Sequence, residues 1–202
     1  FVSQIHNADI VHVHQYRPWV STLAILYASL LRKRVFVSDY GGGGINLNLD
    51  MDIGRWVERF LVISNYSAEE MRLSDRSFPI YGGVDPFFLE QSQILEKKKQ
   101  ILFVGRLLPH KGINYLIDAV PAELPLVVVG RPYDEKYYQL LRDRAGRKNV
   151  RFVVDAGNAQ IRNLYRESLV TVLPSVYEDI YGNKHRMPEL LGLVLLESMA
   201  CG

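Results

Sequence analysis

Five groups of residues in this 202-residue chain have the types and spacing to do chemistry. Arg106 and Lys111 lie in the string Gly105-Arg106-Leu107-Leu108-Pro109-His110-Lys111-Gly112, where an apolar run ends and an amphipathic one begins. Two cations at the carboxyl end of a strand, beside a helix start that favours anions, could grip a diphosphate. Taken alone, the pair reads more simply as surface cations flanking a tight turn. Glu189 and Glu197 are separated by seven residues, and Glu197 falls inside an otherwise apolar stretch. A carboxylate there needs a partner, because burying one unpaired is costly. The hydroxyl pair of a ribose would serve, and so would a neighbouring Arg or the backbone. His12 and His14 are two apart, which on a strand puts both on one face. They are half of a metal site or a structural hydrogen-bonding pair, and the remaining imidazoles, His6, His110 and His185, show no ligand pattern. Asp50 and Asp52 form a D-x-D string that could hold a divalent cation. Ahead of a predicted helix, however, acidic residues serve as caps, and that is the preferred reading. Finally, Gly41, Gly42, Gly43 and Gly44 follow Tyr40; four glycines let a backbone approach a ligand closely or form a mobile loop.

These residues need a scaffold that brings strand ends and helix starts together. Short apolar runs alternate with amphipathic segments along the chain, the pattern of βα units around a parallel sheet. Strands are expected over 10–14, 35–38, 60–63 and 78–81, with helices over 19–31, near 52–58 and from a capping box at 67–70. The alternation breaks between Asp85 and Gln100, where Glu96-Lys97-Lys98-Lys99 reads as solvated surface. It then resumes, with strands over 101–105, 126–130, 150–154 and 170–173 and helices over 112–120, 135–144, 159–167 and 192–200. The expected organisation is a first α/β domain over 1–88, a linker over 89–100 and a second α/β domain over 101–202.

Composition narrows the function classes. Hydrophobic residues make up 48% and charged residues 23%, which excludes a disordered chain. Lys and Arg total 24 against 22 Asp and Glu, a net charge of +2 that carries no nucleic-acid footprint. A single cysteine, Cys201, excludes an intrachain disulfide and a multi-cysteine metal site, and suits a reducing compartment. The longest apolar stretch, 19–31, is broken by Ser21, Thr22 and Ser29 and falls short of the ~20 residues of a membrane span. The chain opens on Phe1 and stops where a helix would reach its Gly cap at Gly202. A fragment cut at both ends is the expectation.

Taken together, these strings resemble the family four retaining glycosyltransferases. The resemblance rests on Gly105-Arg106-Leu107, Pro109, Lys111-Gly112, and the segment from Glu189 to Glu197 with Met199-Ala200-Cys201-Gly202. Leu164-Tyr165-Arg166, Leu173-Pro174-Ser175, Ile63-Ser64 with Tyr66-Ser67, and Tyr81-Gly82-Gly83-Val84-Asp85 extend it over nearly the whole chain. It implies a GT-B fold, α/β with two Rossmann-like domains and parallel sheets, both incomplete here. It also implies transfer of a sugar from a nucleotide-diphosphate donor to a glycan or lipid-linked acceptor, with retention of anomeric configuration and without a metal or other cofactor. By the resemblance, Arg106 and Lys111 stabilise the departing diphosphate, Glu197 holds the ribose and Glu189 contacts the transferred sugar. Backbone amides near Leu191, Gly192 and Leu193 meet the phosphates, and His14 positions donor and acceptor near the anomeric centre. The loop Tyr40–Gly44 falls on the acceptor side; many relatives carry His where this chain has Tyr40, which leaves that residue's role open. A cytoplasmic protein, with peripheral contact at the inner face of the membrane, and surface-glycan synthesis are the implied setting. Two alternatives remain: an inactive or truncated nucleotide-binding paralogue, and a metal-dependent hydrolase built on His12 and His14.

Overall fold

The computed structural model describes residues 2–40, 52–72, 74–90 and 95–202. The chain divides into two compact units, Phe1–Gly82 and Gly83–Gly202. Each is built on a parallel sheet.

In the first unit α1 (Val2–Asn7) leads into β1 (Ile10–His14), α2 (Trp19–Leu30), β2 (Arg34–Asp39), β3 (Arg59–Val62), α3 (Asn65–Glu70) and β4 (Ser77–Pro79). The strands lie in the order β1-β2-β3-β4, all parallel. Val35, Val37, Phe60 and Val62 come from the sheet and pack with Ala24, Ile25 and Ala28 of α2. The capping box expected at 67–70 instead opens three residues earlier, at 64–67. Ser64 is the cap, its Oγ accepting from the Ser67 amide at 3.1 Å while Ser67 Oγ accepts from the Ser64 amide at 3.1 Å. Serine serves at both positions because each hydroxyl reaches the other's backbone.

The second unit runs α4 (Pro86–Leu89), β5 (Lys98–Val104), α5 (Ile113–Ala119), β6 (Leu126–Val129), α6 (Glu135–Ala145), β7 (Val150–Val153), α7 (Asn158–Glu167), β8 (Ser168–Thr171) and α8 (Leu193–Ala200). Alternation along β5 and β6 feeds both faces of the sheet. Phe103, Leu126 and Val128 join Ile113, Ile117, Tyr137 and Leu141 on one side. Leu102, Val104, Val127 and Val129 join Phe88, Leu164 and Tyr165 on the other.

The division between units falls at Gly82/Gly83 rather than at the expected linker, 89–100. Two packing features account for this. Helix α4 belongs to the second unit, where Phe88 is buried with its ring 6.0 Å from that of Tyr165. The Arg162 guanidinium stands 3.9 Å over the Phe87 ring and donates to the Phe87 carbonyl at 2.9 Å. The lysine run, read as solvated surface, is exposed, and two of its members are also engaged. Lys98 pairs with Ser168 in the sheet, Lys97 Nζ donates to the Ser168 carbonyl at 3.2 Å, and buried Gln100 donates to Ser168 Oγ at 3.0 Å.

The strand order of this sheet, β7-β6-β5-β8, locates the site. From β5 the chain steps outward through β6 and β7, then returns to place β8 on the other side of β5. The carboxyl ends of β5 and β8 therefore border a topological switch point, the crevice where open α/β sheets bind ligands.

Candidate donor-binding site of the second unit

The connection leaving β5 carries Arg106, then turns through a short 3₁₀ segment, Pro109–Lys111, into α5. The connection leaving β8 carries Ser175 and, further on, Glu189 just before α8. Both approach the switch point. Gly112 makes the approach possible: it has φ +66°, and a Cβ there would stand 2.1 Å from the Pro174 carbonyl oxygen. Only glycine fits where the two backbones meet.

Lys111 and Glu189, singled out separately in the sequence, are brought into contact. Lys111 Nζ donates to Glu189 Oε2 at 2.8 Å, and Ser175 Oγ reaches the same oxygen at 3.4 Å. The other oxygen, Oε1, accepts from the Gly192 amide at 3.2 Å. Gly192, at φ +75°, is the cap residue of α8, so a carboxylate already occupies the positive end of that helix. Of the three backbone positions expected to meet phosphates, the Gly192 amide is thus engaged by Glu189. Arg106 is exposed, and its guanidinium has no hydrogen-bond or ion-pair partner among the described residues.

Glu197 lies one turn from the end of α8. Its partner is neither an Arg nor the backbone but Tyr165, whose hydroxyl donates to Oε2 at 3.0 Å. Burial foremost raises the Glu197 carboxyl above its ordinary 4.5, with the charge of Asp85 adding to the rise, while the Tyr165 hydrogen bond opposes it. Oε1 keeps its lone pairs, having no hydrogen-bond partner among the described residues. Tyr165 was quoted in the sequence only as part of a string, and nothing in the string marks it as the partner of a residue 32 positions away.

These observations carry a prediction. A carboxyl raised in the folded state stabilises the fold below its unfolded pKa, and that stability is lost as pH rises through the folded value. The Tyr165 hydroxyl limits the loss by solvating the carboxylate. Tyr165→Phe is therefore expected to cost about 1 kcal/mol at pH 7 and almost nothing at pH 4, read by urea unfolding at both values. An equal loss at the two pH values would detach the hydroxyl from the carboxylate.

In the first unit, His12 and His14 share the exposed face of β1 with ring centroids 4.6 Å apart, as the alternation requires. The His12 Nε2 lies 2.8 Å from Ser38 Oγ, and burial followed by the charge of His14 lowers the His12 pKa. Among the described residues no group of three or more His, Cys, Asp or Glu side chains is arranged to hold a metal ion. Tyr40 is exposed just past the end of β2, and Gly41, Gly42, Gly43 and Gly44 lie outside the described residues. Asp52 caps the 3₁₀ turn Ile53–Trp56, accepting from the Gly54 amide at 3.0 Å; Asp50 lies outside the described residues. Among the described residues no helix is long and apolar enough to cross a membrane.

Apart from His185, no residue between Ser175 and Glu189 stands out in the sequence. Here Asp179, only 5% exposed, gathers hydrogen bonds from Tyr181, Asn183 and His185. Asp-x-x-Gly-Asn over 179–183 is turn chemistry that could have marked a loop closing on itself.

Comparison with known proteins supplies the remaining findings. Residues 85–202 match the family described as glycosyl transferases group 1. Over 147 residues, 63% of the chain, the sequence is 33% identical to an uncharacterized glycosyltransferase of Methanocaldococcus jannaschii, of which the match covers 35%. All of the chain superposes on AviGT4, a glycosyltransferase involved in avilamycin A biosynthesis, with TM-score 0.67, 19% identity and 56% of that protein covered. It also superposes on the apo form of the lipopolysaccharide outer core galactosyltransferase WaaB, with TM-score 0.63, 18% identity and 57% covered. At these identities the likeness establishes the fold, which is of the GT-B class expected from the sequence. The chain spans about a third of its curated relative and somewhat over half of each solved structure.

Proposed function

The chain belongs to the glycosyl transferases group 1 family, and from that premise we propose that it forms the donor-handling part of a retaining glycosyltransferase. The substrates are a nucleotide-diphosphate sugar and a glycan or lipid-linked acceptor. The observation that carries this reading is the meeting of Lys111, Glu189 and the start of α8 at the switch point, with Arg106 unpaired beside them.

The chemistry follows from charge. As the bond between the anomeric carbon and the diphosphate oxygen breaks, negative charge grows on the diphosphate. Arg106, Lys111 and the first amides of α8 are positive groups that stabilise it. Two cations and a helix terminus meet this demand without a resident metal. Donor binding exchanges partners: Lys111 passes from Glu189 to the diphosphate, and Glu189, still held by the Gly192 amide, turns its freed oxygen to hydroxyls of the transferred sugar. Glu197 accepts from the ribose hydroxyls through Oε1, while Oε2 stays with the Tyr165 hydroxyl. The acceptor hydroxyl attacks the face the diphosphate leaves, and the departing phosphate takes its proton, so the configuration is retained.

A panel of UDP-, GDP- and ADP-sugars tests the reading. The cognate donor at a hundred times its dissociation constant is expected to stabilise the protein by ~2.7 kcal/mol, visible as a rise in melting temperature. With an acceptor, the product anomer read by proton NMR should match that of the donor. A product of inverted configuration overturns the retaining mechanism, and silence across the panel overturns the function.

A further inference from the structure

Between Val176 and Pro188 the chain makes an excursion from the switch point and returns to it. Its inner part is folded around one carboxylate. Asp179 Oδ1 accepts from the Tyr181 amide at 2.9 Å and the Asn183 amide at 3.0 Å; Oδ2 accepts from Asn183 Nδ2 at 3.2 Å and lies 2.8 Å from His185 Nε2. The backbone closes the same loop: the Asp179 amide donates to the Asn183 carbonyl at 3.0 Å, and the Gly182 amide to the Asp179 carbonyl at 2.9 Å. Burial works to raise the Asp179 carboxyl, but the hydrogen bonds from His185, Asn183 and Tyr181 outweigh it and hold the group down at about 2. At neutral pH the loop is therefore closed on a charged, fully partnered acid.

The excursion grips the turn that carries Lys111 at three places. At its start, the Val176 amide donates to the His110 carbonyl at 2.9 Å. In its middle, the His185 ring lies against the His110 ring, with centroids 4.9 Å apart and planes tilted by 40°. Past its end, Glu189 takes the Lys111 ammonium. We infer that Asp179 and His185 are positioning residues of the donor site: the Asp179 carboxylate fixes the His185 imidazole, which braces His110 and through it the Lys111–Glu189 pair. This rests on the reading of Lys111 and Glu189 as donor ligands.

The physical need is plain. A free connection of this length samples many conformations, and ångström-scale misplacement of a group that must meet developing charge costs about a hundredfold in rate. The brace also adds no competing charge. Burial foremost, then the positive charges of Lys111, His185 and Arg106, push His110 down to about 4 against the opposing pull of Glu189. His110 is neutral at physiological pH, leaving Lys111 as the cation of its turn.

A double-mutant cycle separates this role from a merely structural one, because residues acting through one another are not additive. His185→Ala is expected to lower kcat/KM at least tenfold in the wild-type background and less than twofold in the Lys111→Ala background. His185→Gln, whose amide can still reach Asp179, should recover most of the loss. Proton NMR of the His110 imidazole, independent of turnover, should show its midpoint rising from about 4 in His185→Ala and in Asp179→Asn. Equal losses in both backgrounds, or no loss in either, overturn the positioning role, as does an unmoved His110 midpoint. A wild-type protein that binds none of the sugar nucleotides overturns the function reading, and with it any role of the brace in donor handling; that result is seen before any variant is made.

Discussion

Replacing Lys111 with alanine is expected to lower kcat/KM for glycosyl transfer by about 10²–10³-fold, the scale on which an enzyme loses a preorganised electrostatic stabiliser. Two effects combine. The diphosphate loses a cation held at the switch point, and Glu189, otherwise tied to Lys111 at 2.8 Å, loses its countercharge. Arg106→Ala should cost a comparable factor without the second effect, since Arg106 has no partner to release among the described residues. Arg106→Lys should recover only part of it, because a point charge does not reproduce the guanidinium fork. Steady-state kinetics with the cognate donor decide the matter. Wild-type values in both alanine variants would remove the diphosphate from this end of the sheet.

A large loss of stability is expected from Gly112→Ala. A methyl group at this position would stand 2.1 Å from the Pro174 carbonyl oxygen, a backbone atom that cannot rotate away, and the residue sits at φ +66°. Left-handed strain and overpacking each cost about 1–3 kcal/mol, so a combined loss of about 2–6 kcal/mol is expected in chemical denaturation. Because the Pro109–Lys111 turn and the strand exit at Pro174 must separate to admit the methyl, donor affinity should fall as well. A loss below about 0.5 kcal/mol would mean that the contact between the two backbones relaxes freely.

Much of the scaffold is legible in the sequence because it is local. The strand over Ile10–His14 reads directly from its apolar alternation, and α6 opens where Asp134 can cap it, its carboxylate accepting from the Tyr137 amide at 3.0 Å. Arg106, Lys111, Glu189 and Glu197 stand out because charge is unusual beside apolar runs. What is hidden depends on contacts between distant positions. The polarity of 98–100 suggests solvent, yet Gln100 is buried because β8 returns beside it. Phe87 and Phe88 read as the end of the first domain until α7 is seen to supply Arg162 and Tyr165 beside them. The partner of Glu197 is a tyrosine on another helix, and the brace around Asp179 comes together only when its loop folds back on the Lys111 turn.

The strand order β7-β6-β5-β8 has a kinetic consequence. β5 and β8 pair Lys98 with Ser168 and Leu102 with Thr171, so the walls of the crevice are joined by contacts some 70 positions apart. Closing so long a loop carries an entropic cost that nearest-neighbour pairings such as β5 with β6 do not. The crevice is thus a late product of folding, complete only after β6 and β7 have been laid down on one side of β5 and β8 has docked on the other. Contacts made after the rate-limiting step govern how fast a fold is lost more than how fast it is gained. An occupied crevice should therefore act as a latch: it lengthens the lifetime of the folded second unit while leaving the speed of its formation nearly unchanged.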